Sequence, residues 1–148
     1  MPYDTFLFRS AARPGYAPLR AYAQPIFSGK RFVPVDSEFE RAVLRELIKL
    51  QWTFDRIGID LTIEKPVFDT LTPIGACRPD FILELRSRET GEIRSIIVEA
   101  MGSTDETYLA AKAVTHPRMA QIGPLVCVSP ADVETGRIGA IVRRAAGA

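Results

Sequence analysis

Residues 78–100 read RPDFILELRSRETGEIRSIIVEA, and this stretch decides the fold of the chain. Two apolar-rich runs flank the polar residues 87–91, whose single glycine suits the loop of a β-hairpin. We therefore expect two antiparallel strands. Asp80 begins the first run and Glu99 ends the second, so the pairing of the strands brings these two acids close together.

Asp80 and Glu99 form a candidate metal site at the open end of this hairpin. A carboxylate at the edge of a buried strand costs several kcal/mol unless it is paired or bound to a cation. Facing neighbours in such a ladder lie about 5–8 Å apart at Cβ, and one metal ion can bridge that span. Whether both side chains share a face depends on the register and on whether the hairpin contains a bulge.

The composition of the chain is that of an ordinary globular protein. It has 148 residues, of which 47% are hydrophobic and 25% are charged, and its formal net charge is +1. This length predicts one domain, and the charge provides no global attraction to nucleic acid. Without an apolar run near 20 residues or a signal-peptide core, a cytoplasmic protein is expected. Cys77 and Cys127 match no metal-ligand spacing and are expected to be buried, reduced thiols.

Residues 1–35 differ from the rest of the chain in composition. They contain five of the eleven prolines and seven aromatic residues, and their five Arg and Lys residues face a single acid, Asp4. We interpret them as an extended arm without a core of its own, followed by one domain over residues 36–148. The aromatic and basic side chains could stack on bases and contact phosphates, or the aromatics could pin the arm to its own domain or to a partner subunit.

A helix opens the predicted domain. Residues 37–40, with the sequence SEFE, have the capping-box form, and a helical period continues to Gln51. Glu40 falls within the apolar arc of this helix. Its carboxylate either closes the capping box on the N-cap amide or points inward toward Asp80 and Glu99, and both roles are compatible.

The remaining segments complete an α/β order of helix, three strands, helix, strand and helix. Besides the hairpin, the predicted elements are an edge or bent strand over 59–68, a helix over 105–114 that His116-Pro117 breaks, a buried strand over 125–129 and a helix from Pro130 to Arg144.

This order resembles the core of the PD-(D/E)XK nuclease superfamily. The resemblance rests on an acidic helix, a strand that contains Pro79-Asp80 and a partner strand that ends in Glu99, and it extends from residue 37 to 129. It implies a restriction-endonuclease-like core, in which helices flank a central mixed β-sheet of about four strands. It also implies hydrolysis of phosphodiester bonds in DNA, with Mg²⁺ or Mn²⁺ held by Asp80, Glu99 and the backbone carbonyl of Ala100.

The chain departs from the family pattern at Met101, which stands where the family places a lysine two residues after the second acid. In some members this lysine has moved to a neighbouring helix, and Lys112 is the candidate here. The alternative is a solvated surface lysine. Tyr108 lies one helical turn earlier and projects from the same predicted side, either as a packing residue or as a nucleic-acid contact.

Other residues receive roles from the same resemblance. Glu40 would join Asp80, Glu99 and Lys112 as a catalytic residue, completing a second metal shell or holding a water molecule. Arg78 and Lys65 would contact phosphates at the rim, or would merely offset nearby acids. His116, the one histidine of the chain, is interpreted as a loop or cap residue.

Three functions remain open from the sequence. The first is a metal-dependent DNA nuclease, which would need a second subunit to cut both strands, so a homodimer or a larger protein partner is an open expectation. The second is an inactive module of the same fold that binds DNA or a protein partner. The third is a structural domain whose acids form ion pairs with Arg78 and Lys112.

Overall fold

The computed structural model describes residues 22–26, 31–35 and 37–147. No helix in these ranges is long and apolar enough to cross a membrane. The elements in chain order are β1 (Tyr22–Ile26), β2 (Arg31–Val35), α1 (Glu38–Asp55), β3 (Ile59–Glu64), β4 (Thr70–Thr72), β5 (Gly75–Cys77), β6 (Phe81–Ser87), β7 (Ile93–Ala100), α2 (Glu106–Met119), β8 (Leu125–Val128), α3 (Pro130–Glu134) and α4 (Ile138–Ala146).

Most of the predicted arm, residues 1–21 and 27–30, lies outside the described residues. Its two described stretches, β1 and β2, pair antiparallel with Tyr22 opposite Val35. Val35 is buried in the main core of the protein, so the end of the arm packs against the domain. Contact of the arm with nucleic acid or with a partner subunit stays a prediction.

Helix α1 starts where the capping box predicts. The hydroxyl of the N-cap residue Ser37 accepts a hydrogen bond from the amide of Glu40 over 3.1 Å. The helix continues past Gln51, its predicted limit, because Phe54 extends the buried stripe formed by Val43, Leu44, Leu47 and Leu50. Trp52 lies two positions after Leu50, on the opposite arc of the helix, and is exposed.

The central sheet has four strands in the order β3-β6-β7-β8. Its β3–β6 and β6–β7 pairs are antiparallel and its β7–β8 pair is parallel. The predicted α/β fold, with a mixed four-stranded sheet between helices, is therefore confirmed. A further hairpin, β4–β5, pairs only with itself and was not predicted, because strands of three residues carry no periodic signal.

The sheet has a large apolar face and a smaller one. Alternate residues of β6 and β7, such as Phe81, Leu83 and Val98, join α1 and α4 in the main core. The other face carries a smaller cluster, in which Ile97 packs with Cys77 and Met119 and is flanked by Ile82, Ile122 and Leu125. Glu99 follows Ile97 by two positions along β7, so its side chain belongs to this smaller face.

Helix α2 runs through the predicted break at His116-Pro117, so that prediction is wrong. Its N-cap residue Asp105 accepts a hydrogen bond from the Tyr108 amide over 3.1 Å, as the turn before it suggests. Pro117 lies near the end of the helix, where its missing N–H removes a single ladder bond. Met119, two residues later, is buried in the smaller cluster, and this packing holds the last turn in place.

The predicted helix from Pro130 to Arg144 is divided into α3 and α4. Gly136 lies between them with φ of 65°, a left-handed conformation that a continuous α-helix does not contain. In the second part, α4, Ile138 and Val142 are four positions apart and both are buried.

Candidate active site

Asp80 and Glu99 lie side by side on the smaller face of the sheet. Continuing the register by one residue beyond the Phe81–Val98 pair sets the two acids opposite each other. The amide of Asp80 donates to Glu99 Oε1 over 2.8 Å, and the amide of Ala100 donates to Asp80 Oδ2 over 2.9 Å. The backbone of the neighbouring strand therefore fixes each carboxylate.

Lys112 reaches both acids from helix α2. Its ammonium group hydrogen-bonds Glu99 Oε2 and lies 3.7 Å from Asp80 Oδ2. The Lys112 side chain is 18% exposed and the Glu99 side chain is 0% exposed. The structure thus brings Asp80, Glu99 and Lys112 together, and two carboxylates against one ammonium group leave a net negative charge in the cluster.

The spacing of residues along α2 explains how this helix directs two side chains toward Glu99 and Ala100. Tyr108 and Lys112 are four residues apart, so they project from one side of the helix. The Tyr108 hydroxyl donates to the carbonyl oxygen of Ala100 over 3.1 Å. The Lys112 ammonium also lies 5.5 Å from the centre of the Tyr108 ring, a cation–π distance. Tyr108 therefore orients both the Ala100 carbonyl and the Lys112 amine.

Glu40 does not join this group. Its carboxylate forms an ion pair with Lys65, whose ammonium lies 5.6 Å from the centre of the Phe81 ring. Within residues 22–26, 31–35 and 37–147 there is no group of three or more His, Cys, Asp or Glu residues that could hold a metal ion. The inward interpretation of Glu40 as a companion of Asp80 and Glu99 is therefore not supported by its position.

The two predicted rim cations differ in their surroundings. The side chain of Lys65 is almost fully buried with Glu40, so it does not present a charge at the rim. The guanidinium group of Arg78 is exposed and lies 3.8 Å from Asp69, an exposed carboxylate. Neither cation is found in an ion pair with Asp80 or Glu99.

Comparison with known families agrees with the observed fold. Residues 36–145 match a family described as "Restriction endonuclease-like C-terminal domain". The chain belongs to this family. An Escherichia coli relative named "Uncharacterized protein in cib 5'region" is 34% identical over 110 residues, which are 70% of this chain and 50% of the relative. The chain thus spans about half the length of that relative. No solved structure matches the chain.

The donor atoms in this restriction endonuclease-like domain suit a hard divalent cation. They are all oxygens, from two carboxylates and from the Ala100 carbonyl, which also accepts hydrogen bonds from the Tyr108 hydroxyl and the Gly102 amide. No described residue hydrogen-bonds Asp80 Oδ1, so this oxygen is open to a ligand. Mg²⁺ commonly uses one or two carboxylates and fills its remaining positions with water, so a smaller cluster than three acids fits it.

Burial and neighbouring charges shift the pKa values of Glu99 and Lys112. It raises the pKa of Glu99, and the charge of Asp80 adds to the rise, while Lys112 and the Asp80 amide lower it in part. Burial also lowers the pKa of Lys112, but the hydrogen bond to Glu99 and the charges of Glu99 and Asp80 outweigh it, and the net shift is upward. The amine is therefore charged at neutral pH.

The pKa of Glu99 predicts a pH-dependent stability in the absence of metal. Because its folded pKa lies above the unfolded value of 4.5, its contribution is most favourable below that value and is lost as the pH rises through the folded pKa. Glu99→Gln should therefore gain stability relative to the wild type as the pH rises, by about 1.4 kcal/mol for each unit by which the pKa is raised.

Urea unfolding in EDTA between pH 4 and about 8 measures this difference. Glu84→Gln on the same hairpin is the control, since it makes the same substitution on β6, away from the cluster. Parallel stability curves for Glu99→Gln and the wild type would contradict the prediction.

His116 is a neighbour of the cluster that the sequence analysis missed. It lies within α2 rather than in a loop or cap, and its Nε2 is 3.9 Å from Glu99 Oε2, too far for a hydrogen bond. This nitrogen is buried without a hydrogen-bond partner among the described residues. Burial and the charge of Lys112 lower the pKa of His116, which favours the neutral ring. The four-residue spacing from Lys112 was the available signal.

The two cysteines differ in burial. Cys77 is buried as predicted, and burial raises the pKa of its thiol. Cys127 is exposed, so its predicted burial is wrong. It lies on β8, the last strand of the described sheet, on the face away from the main core, and its Sγ is 4.0 Å from His116 Nδ1.

Proposed function

We propose that this chain is a metal-dependent nuclease that hydrolyses phosphodiester bonds in DNA, with Asp80, Glu99 and Lys112 at its catalytic centre. The convergence of these three side chains is the observation that carries the proposal: the Lys112 ammonium bonds Glu99 and lies 3.7 Å from Asp80. The restriction endonuclease-like family of the domain supports the same chemistry.

Asp80, Glu99 and the Ala100 carbonyl would hold Mg²⁺ or Mn²⁺ in this proposal. Such a cation, when bound, polarises the scissile phosphate and lowers the pKa of a water molecule. The backbone amides that fix the two carboxylates keep them oriented without the cation, so little rearrangement is needed to bind one. The hydroxyl of Tyr108 holds the Ala100 carbonyl in the same way.

Lys112 supplies the positive charge that Met101 cannot. Its ammonium group would offset the negative charge that develops on the phosphate oxygens, a contribution that strengthens in a site from which water is partly excluded. The partial burial of Lys112 and its hydrogen bond to Glu99 support this role, although the lysine comes from a helix instead of a strand.

The remaining predicted residues take supporting roles in this proposal. Exposed Arg78 and half-buried Tyr108 are proposed to contact DNA. Glu40 is proposed to act through Lys65, which packs against Phe81, the residue directly after Asp80. Lys65 itself is not proposed as a phosphate contact.

A cleavage assay tests the proposal. Supercoiled plasmid and labelled duplex should be cut in Mg²⁺ or Mn²⁺ and should stay intact in EDTA. Asp80→Asn and Glu99→Gln should each lower the rate about 100-fold or more, because each removes a ligand. Asp60→Asn is the control. Asp60 lies opposite Arg86 in the β3–β6 register, toward the end of the sheet far from Asp80, and its carboxylate forms an ion pair with Arg88. Its substitution should leave the cleavage rate unchanged.

An inactive module that binds DNA or a protein partner is the second candidate. Met101 at the family's lysine position favours it, and so does the ion pair with Lys112, which satisfies Glu99 without a cation. DNA binding that is insensitive to Asp80→Asn, with no cutting in any divalent cation, would favour this module over the nuclease.

A further inference from the structure

Residues 67–74, which lead into β4 and continue to the turn of the β4–β5 hairpin, include four exposed apolar side chains. Phe68 is 83% exposed and Leu71 is 84% exposed, and Val67 and Ile74 are also exposed. The two strands pair only with each other and not with the central sheet. Four exposed large apolar side chains within eight consecutive residues mark an interaction surface rather than ordinary scatter.

The second strand of this hairpin, β5, is held against the domain. The guanidinium of Arg118 on α2 donates to the Ala76 carbonyl over 2.9 Å. Gly75 has φ of +129°, and a Cβ at this position would lie 2.8 Å from Arg118 Nε, so a glycine is needed for the side chain of Arg118 to pass. Cys77 is buried against Ile97 and Met119. These contacts along β5 therefore give the hairpin a defined position on the domain.

The hairpin lies within reach of any nucleic acid bound at the acids. Leu71 pairs with Ala76 across the hairpin, and Ala76 precedes Asp80 by four residues, which span at most about 14 Å when fully extended. A duplex rises about 3.4 Å per base pair, so the stretch from Ala76 to Asp80 covers at most about four base pairs. DNA at Asp80 would thus run close to the hairpin. Arg78, between them, is exposed, and its 3.8 Å contact with Asp69 is a solvent-screened pair that a phosphate can replace.

We infer that the β4–β5 hairpin and the residues just before it form a nucleic-acid wedge, whose apolar side chains Phe68 and Leu71 insert between bases next to the phosphate bound at Asp80 and Glu99. This inference rests on the proposed function for its substrate. Apolar side chains that unstack a base step, beside cations that hold the backbone, are an established way for proteins to bend DNA. A protein partner would not need the surface to lie so close to Asp80.

Fluorescence of 2-aminopurine tests the wedge without cleavage. Short duplexes with the analogue at successive positions are titrated with the full chain, once in Ca²⁺ and once in EDTA. The wild type should raise the emission several-fold at one or more positions, because unstacking relieves quenching. Leu71→Asn and Phe68→Asn should remove the rise and weaken binding about tenfold. Ile93→Asn is the control, since Ile93 is 49% exposed at the start of β7, the end opposite Glu99, and should change neither.

The outcomes separate the wedge from the nuclease. Unstacking that Leu71→Asn abolishes, in a protein that cuts DNA in no cation, would sustain the wedge and overturn the proposed function. Cutting by the wild type without any rise in emission, or hairpin variants that behave like Ile93→Asn, would overturn the wedge alone. Absence of DNA binding would overturn it as well. If Leu71→Asn or Phe68→Asn reduced self-association of the protein without changing DNA binding, the hairpin would be a protein interface. That result would also overturn the wedge.

Discussion

Lys112→Met is expected to abolish DNA cleavage and to lower the free energy of unfolding by about 3 kcal/mol or more. The Glu99 side chain is fully buried, and Lys112 is the ammonium group that bonds it. Removal of one partner of a buried pair leaves the other charge uncompensated, which costs more than the pair itself contributes. The same substitution removes the cation proposed to stabilise the transition state.

Urea unfolding in EDTA and the plasmid assay in Mg²⁺ measure the two effects. Lys49→Met is the matched control, because Lys49 forms a helix-surface pair with Glu46 and its loss should cost no more than about 1 kcal/mol. The double variant with Lys112→Met and Glu99→Gln should recover most of the stability, since no buried charge remains, but none of the activity. Equal stability losses for Lys112→Met and Lys49→Met would contradict the buried ion pair.

Adding Met101→Lys to the Lys112→Met variant is expected to raise its rate of DNA cleavage about tenfold or more. Met101 follows Glu99 by two positions, and its amide donates to the Val128 carbonyl over 2.8 Å, so the chain still runs along β8 there. Met101 directly follows the last residue of β7, two positions after Glu99, so we expect an amine at this position to approach the same acids. Both placements of the amine should therefore serve the same chemistry.

Rates of duplex cleavage for the single and double variants test this rescue. Val114→Lys in the Lys112→Met background is the control, because Val114 is exposed on the same helix but lies two positions from Lys112, on a different side. It adds the same charge without directing it at Glu99 and should not restore activity. Equal rescue by both lysines would mean that net charge, and not the position of the amine, governs the rate.

The sequence predicted the parts of the fold that short-range rules determine. The polar loop at residues 87–91 and the apolar runs beside it fix the β6–β7 hairpin, and the hairpin alone brings Asp80 and Glu99 together. The capping box at Ser37 predicts where α1 begins. The position of Lys112 followed from the family resemblance and from helical spacing, and the structure brings it to both acids.

Features that depend on tertiary packing could not be predicted in this way. Glu40 pairs with Lys65, 25 positions away in sequence, and no local pattern indicates that partner. Helix α2 continues through Pro117 because the burial of Met119 outweighs a local breaking signal. The exposed hairpin β4–β5 is too short to carry a period, and Arg118, which fastens it, comes from a distant helix.

Anomalous diffraction from crystals soaked in Mn²⁺ tests the central claim most directly. The account predicts one manganese peak between β6 and β7, with Asp80, Glu99 and the Ala100 carbonyl at coordination distances of roughly 2.1 Å, and no such peak in Asp80→Asn crystals. Manganese elsewhere on the chain, or a Glu99 carboxylate that keeps only its bond to Lys112 at saturating Mn²⁺, would contradict it.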